Sequence, residues 1–122
     1  MEAKILETKV GRILDFDKSI WSVAMLSSDG KAMARFQRPG TKPLEPESET
    51  ETVYMKATIA VSMSTPMDKY HGRVRNAVIV KEKVTMICFN LMGKIMLITA
   101  SPVFQLQKVE ELGQLIDQLG IG

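Results

Sequence analysis

Cysteine, histidine and tryptophan each occur once in the chain, and that scarcity removes whole classes of chemistry. A single cysteine cannot form an internal disulfide. Cys88 sits within a run of strand-forming residues, where a thiol ordinarily behaves as a small buried hydrophobe. One histidine and one cysteine make neither a Cys–His nucleophile pair nor a group with metal-ligand spacing, and His71 is expected on the surface in a turn. Gly11, Gly30, Gly40, Gly72 and Gly93 all stand alone, so no phosphate-cradling loop is encoded. Asp15 and Asp17 lie close together, but at the end of a helical pattern, where they read as polar terminating residues. No catalytic residue, metal ligand or cofactor is therefore expected, and the chain reads as a non-enzyme. No hydrophobic run reaches the ~20 residues needed to cross a bilayer, and the N-terminus lacks a signal-peptide pattern, so a cytoplasmic protein is expected. Sixteen basic and fourteen acidic residues leave a net charge of +2, too balanced to argue for a nucleic-acid platform.

What is present is core-forming material. The 122 residues are 45% apolar, which suits one domain, 1–122, with one ordinary core. The stretch from Arg73 to Ala100 carries three runs of strand formers separated by short polar breaks. In the first, Val74, Asn76, Val78 and Val80 alternate with Arg75, Ala77, Ile79 and Lys81, a period of two that marks a strand with one buried face. The second is apolar on both sides, with Val84, Met86 and Cys88 facing one way and Ile87, Phe89 and Leu91 the other. Ile95 to Ile98 is continuously apolar. Such runs belong in the middle of a sheet covered on both faces, so a three-stranded antiparallel meander is expected, its first strand near an edge.

Ahead of the meander, Ile5, Leu6, Val10, Ile13 and Leu14 place one apolar stripe on a helix over residues 2–16, with Gly11 suggesting close packing. Ile20 to Ser28 and Lys31 to Gln37 read as two strands joined at Ser28-Asp29-Gly30-Lys31, whose Asp-Gly pair signals a tight primed turn. Trp21 is expected in the core, with a place beside a ligand cleft as the alternative. Residues 37–48 hold three of the five prolines and read as a long irregular loop. It ends in a possible capping box, Ser48 with Glu51. After the meander, Ser101-Pro102 suggests a helix start, followed by the stripe Val103, Leu106, Val109, Leu112, Leu115, Ile116 and Leu119, with Gly120 as a C-terminal cap.

The middle helix, beginning near Ser48, carries two apolar stripes. Val53, Ala57, Ala60 and Ser64 fall on one side; Met55, Ile59 and Met63 fall roughly opposite. Lys56 is the only charge between Glu51 and Asp68. A helix apolar on two sides is buried on two sides, and a chain this short can cover only one, so a second subunit is expected. The order is helix, two strands, helix, three strands, helix: an α+β fold with a five-stranded, antiparallel-rich sheet, the terminal helices on one face and the middle helix on the other.

WSVAMLSSDGKAMA at 21–34 and KVTMICFNLMGKIMLITA at 83–100, followed by a helix, resemble the Roadblock family (dynein light-chain Roadblock-like domains). The resemblance covers essentially the whole chain. The segment between 49 and 86 is also similar to small archaeal proteins of this kind. The Pro-rich loop is longer than the usual link to the middle helix. The resemblance implies a Roadblock/profilin-like sandwich that dimerises by pairing its middle helices and its first meander strands. It also implies a homodimer, or a dimer with another Roadblock-like protein, that regulates a small Ras-like GTPase or scaffolds a larger assembly, with no nucleotide site. The expected interface residues are Val53, Ala57, Ala60 and Ser64 on the helix, with Met55, Ile59 and Met63 on the sheet, and Val74, Asn76 and Val78 on the strand.

The charges suggest a rim to that interface. Glu45, Glu47, Glu49 and Glu51 crowd the start of the middle helix, and Lys69, Arg73 and Arg75 follow its end. In an antiparallel helix pair the acidic start of one copy would meet the basic exit of the other. Lys69, Arg73, Arg75, Lys81 and Lys83 read as the solvated side of an edge strand rather than a nucleic-acid surface, since only Tyr70 nearby could stack a base. A small-molecule sensor with a ligand between helix and sheet is the alternative function.

Overall fold

The continuously apolar run becomes the centre of the sheet. A computed structural model describes residues 2–121. In it β5 (Lys94–Ala100) lies between β1 (Ile20–Ser27) and β4 (Thr85–Leu91), with β2 (Ala32–Gln37) and β3 (Asn76–Val80) at the edges. All four pairings are antiparallel. On one face Val23, Ile87, Phe89, Met96 and Ile98 meet Val10 and Ile13 of α1 (Glu2–Phe16) and Leu112 and Ile116 of α4 (Val109–Leu119). On the other, Ala24, Leu26, Met86, Cys88 and Leu97 meet Tyr54, Ala57 and Val61 of α2 (Glu47–Ser62). The terminal helices thus share one face and α2 takes the other, as the periodicities require. A 3-10 turn and the short α3 (Asp68–His71) lead from α2 to β3. Cys88 is fully buried, and burial pushes its thiol up to about 11, which keeps it protonated and inert at neutral pH.

Local chemistry departs from the expected pattern in several places. Pro46 occupies the N-cap of α2 and no side-chain cap bond forms, so the Ser48–Glu51 box is not used; a proline there already supplies the extended backbone that begins a helix. The final helix starts at Val109, later than Ser101-Pro102 suggests. Phe104 turns into the core at 4% exposure and leaves Val103 and Leu106 exposed, so burial of one aromatic outweighs the local helix signal. Gly120 does end α4, in the left-handed conformation. The expected buried face of β3 is only partly covered: Ala77 and Ile79 are half-buried beneath α2, and Val78 and Val80 on the other side are exposed, as an edge position dictates.

Gly30 and Gly11 have opposite roles. Asp29 keeps a negative φ, while Gly30 has φ +86°. The Gly30 N–H donates to the Ser27 carbonyl at 3.0 Å, and the Ser27 N–H donates to the Lys31 carbonyl at 2.8 Å. This is a three-residue loop ending in a left-handed glycine, not the tight primed turn. A Cβ on Gly30 would lie 2.7 Å from Met55 Sδ and 3.2 Å from Thr58 Oγ1, so the loop tip packs directly on α2. Gly11 has open space around its Cβ position, and the close approach is instead at Gly113, where a Cβ would lie 3.2 Å from the Phe89 ring. Gly11→Ala is therefore expected to stabilise the chain by about 0.5–1 kcal/mol. Gly30→Ala is expected to destabilise it by about 1–2 kcal/mol. Urea denaturation of the two variants beside the parent checks both signs.

Candidate functional site

Helix α2 presents an uncovered apolar stripe to solvent. Met55, Ile59 and Met63 are 47%, 52% and 77% exposed, whereas Ala57 is 0% exposed against the sheet. The expected assignment of the two stripes is thus reversed. Tyr54 decides it: the large ring lies on the same side as Ala57 and Val61, and its burial against the sheet outweighs any packing of small residues outward. Ala57 lets the helix approach the strands and cannot reach a partner. Val53 is half-buried on the sheet side, Ala60 is half-buried, and Ser64 lies exposed beyond the helix end. Of the strand residues, Val74 is half-buried against the α2 cluster, Asn76 opens β3, and Val78 is 36% exposed. Among the described residues the outer edge of β3 has no neighbouring strand, so its outward backbone groups remain available for pairing.

Glu47, Glu49 and Glu51 stand exposed on the first turns of α2, and Lys69, Arg73 and Arg75 are exposed after it. Among the described residues the two groups form no ion pair with each other. Arg75 instead reaches Glu110 at 3.9 Å with both side chains largely exposed, a contact worth about 0–1 kcal/mol. The Arg73 guanidinium donates to Met92 Sδ at 2.9 Å.

A cavity of about 590 Å³ lies beside α2. The helix packs mainly over β3, β4 and β5; beside it, residues of β1 and β2 and of the Pro-rich loop border the space. Ala24, Met86, Leu97 and Val53 supply apolar walls, and Trp21, half-buried at the irregularity in β1, borders it too. The Ser22 and Thr99 hydroxyls bond each other across β1 and β5 along the same lining. Tyr54 carries the Arg35 guanidinium 5.9 Å from its ring centre, a cation–π contact. Burial raises the Tyr54 phenol above its ordinary value, with Arg35 opposing and Glu45 adding to the rise.

No family model matches the chain, and no curated protein matches its sequence. Solved structures do match. The Roadblock/LC7 domain from Streptomyces avermitilis superposes with a TM-score of 0.66 at 17% identity, over 89% of this chain and 86% of that one. The fold is Roadblock-like. The gliding protein MglB from Thermus thermophilus gives a TM-score of 0.73 at 10% identity, over 95% and 88% of the two chains. An MglB with a tetrameric arrangement gives 0.74 at 14% identity, over 96% and 85%.

On this Roadblock-like frame, Asp17 ties the start of β1 to the approach to α4. Its carboxylate, with the side chain 15% exposed, accepts from the Ser19 N–H at 2.8 Å, the Ser19 hydroxyl at 2.7 Å and Lys108 Nζ at 3.0 Å. The Ser19 backbone bond, helped by the Ser19 hydroxyl and Lys108 and opposed by burial, holds the carboxyl below its usual 3.8. A depressed folded-state value stabilises the fold above the unfolded value, and this contribution is lost as pH falls through the folded value. Asp17→Asn is expected to cost about 1.5–3 kcal/mol near neutral pH, a difference that shrinks steadily once pH falls below 3.8. Denaturation midpoints of parent and variant across that range check the sign. The residues that sequence patterns pass over are Arg35, Lys42, Thr50 and Tyr54, all of which line the cavity; the proline cluster of the loop and the alternative placing of Trp21 were the local signals near it.

Proposed function

We propose that this chain is a non-catalytic dimeric adaptor that binds a small Ras-like GTPase or holds one within a larger assembly. The observation that carries the reading is the exposed Met55, Ile59 and Met63 stripe on the helix that overlies the open β3 edge, within a Roadblock-like fold. Antiparallel pairing of two β3 strands about a two-fold axis would continue the sheet and bring the two α2 helices alongside each other, a self-complementary geometry. Val74, Asn76 and Val78 then lie at the seam. Glu47, Glu49 and Glu51 face Lys69, Arg73 and Arg75 of the second copy around the rim. The second copy is this chain or another Roadblock-like protein, and the tetrameric arrangement of an MglB supports self-association. The GTPase follows from the Roadblock resemblance, which also implies no nucleotide site of the chain's own.

Immobilised protein is tested against small GTPases loaded with GDP or with a non-hydrolysable GTP analogue, with the oligomeric state followed by sedimentation. Retention of one loaded form by a dimer is the expected result. A monomer that retains neither form overturns the reading.

A further inference from the structure

The cavity beside α2 is lined by residues other than those placed at the dimer seam and rim, and its lining has a chemistry of its own. We propose that it binds a small anionic amphiphile, one carboxylate carried on an apolar body. Its volume of about 590 Å³ falls within the range of roughly 300–1,000 Å³ that small-molecule sites occupy. The deep residues are apolar and buried: Ala24, Met86 and Leu97 are 5%, 9% and 1% exposed. The charges lie at the solvent side. Arg35 comes from β2, Lys42 from the Pro-rich loop and Lys81 from the turn after β3, and all three are exposed. Three cations from separate segments therefore share one cavity with a single carboxylate, Glu45, leaving a local excess of positive charge.

That distribution sets the ligand's polarity and orientation. An apolar body enters toward Ala24, Met86 and Leu97, where it removes apolar surface from water. The carboxylate stays near the mouth, where Arg35, Lys42 and Lys81 supply donors and where its desolvation cost is small. Leu44 also borders the cavity and is 59% exposed, an apolar side chain that a ligand body beneath the loop would cover. Thr50, only 5% exposed, borders it too, and its hydroxyl has no hydrogen-bond partner among the described residues. A buried group of that kind is costly to leave unmatched, and a ligand oxygen reaching the wall of α2 would satisfy it.

Trp21 is the only tryptophan and borders the cavity, so its emission reports occupancy in the full chain. Decanoate is titrated beside 1-decanol, which keeps the body and removes the charge, acetate, which keeps the charge and removes the body, and decyl phosphate, which changes the anionic head. Decanoate is expected to give a saturable change at one equivalent per chain, acetate none, and decanol binding weaker by about tenfold or more. Arg35→Gln, Lys42→Gln and Lys81→Gln combined, all at exposed positions, are expected to weaken decanoate by about tenfold and leave decanol unchanged. No saturable signal with either anion overturns the proposal, as does equal decanoate affinity in the triple variant. Tighter binding of decyl phosphate overturns the carboxylate assignment while supporting the anionic amphiphile. None of these results depends on GTPase retention, so the two readings fail separately.

Discussion

Ile59→Glu is expected to yield a folded monomer, whereas Ala57→Glu, two positions away, is expected not to fold. The two residues differ in what covers them. Ala57 is 0% exposed beneath the helix, packed with Tyr54, Val61 and the strands. A carboxylate there has no cationic partner, and an unpaired buried charge costs several kcal/mol, a large part of a total stability of about 5–15 kcal/mol. Ile59 is 52% exposed in the single chain, so a charge there costs the isolated fold little. In a two-fold dimer each substitution acts twice. Removing two buried isoleucines forfeits about 1.5–3 kcal/mol each, before any repulsion between the two new carboxylates. Weakening of the dimer by at least about a hundredfold is the expected scale. Sedimentation and circular dichroism on both variants decide the matter. A dimeric Ile59→Glu removes the outer stripe from the interface, and a folded Ala57→Glu overturns the packing of α2.

Patterns that repeat along the chain were legible in it, and choices made between distant segments were not. The unbroken apolar run of β5 and the two-sided apolar pattern of β4 announce central strands, and the single stripes of α1 and α4 announce a shared covered face. The two stripes of α2 are legible as stripes, but they do not say which side meets the sheet. A helical wheel contains no information about the partner surface, and Tyr54 settles the question only once Ala24, Leu26 and Leu97 lie beneath it. The same limit applies to α4: Ser101-Pro102 is a sound local start signal, overruled because Phe104 finds the core. The cavity was the least legible feature. Arg35, Lys42, Thr50 and Lys81 share no period or motif, and only the path of the loop from β2 to α2 gathers them around one space. Trp21 lies beside that space, half-buried and not in the core as first expected.

Replacing Arg38 with Ala is expected to cost about 2–4 kcal/mol, an unusually large loss for a residue beside a surface loop. Its guanidinium Nε donates to the Ile20 carbonyl at 2.6 Å, and Nη2 donates to the Asp17 carbonyl at 3.1 Å and to the Leu14 carbonyl. Leu14 lies in the last turn of α1, where backbone carbonyls lack helical partners, and a cation at that end also complements the helix dipole. One side chain thus closes the end of α1 and fixes the first residues of β1. Its own backbone N–H donates to the Trp21 carbonyl at 2.7 Å, and its carbonyl accepts from the Thr41 hydroxyl at 2.6 Å, so the same residue anchors the start of the Pro-rich loop. Hydrogen bonds from a charged donor contribute about 1.5–3 kcal/mol, and carbonyls left unmatched add to the loss. Arg38→Lys is expected to recover only a minor part, because a single ammonium cannot reproduce the planar fork that spans three carbonyls. Urea denaturation measures the loss, and amide hydrogen exchange locates it, with faster exchange expected at the end of α1 and the start of β1. A loss below about 1 kcal/mol, or full recovery by Lys, would show that these contacts act as an exposed ion contact does and do not hold the two elements together.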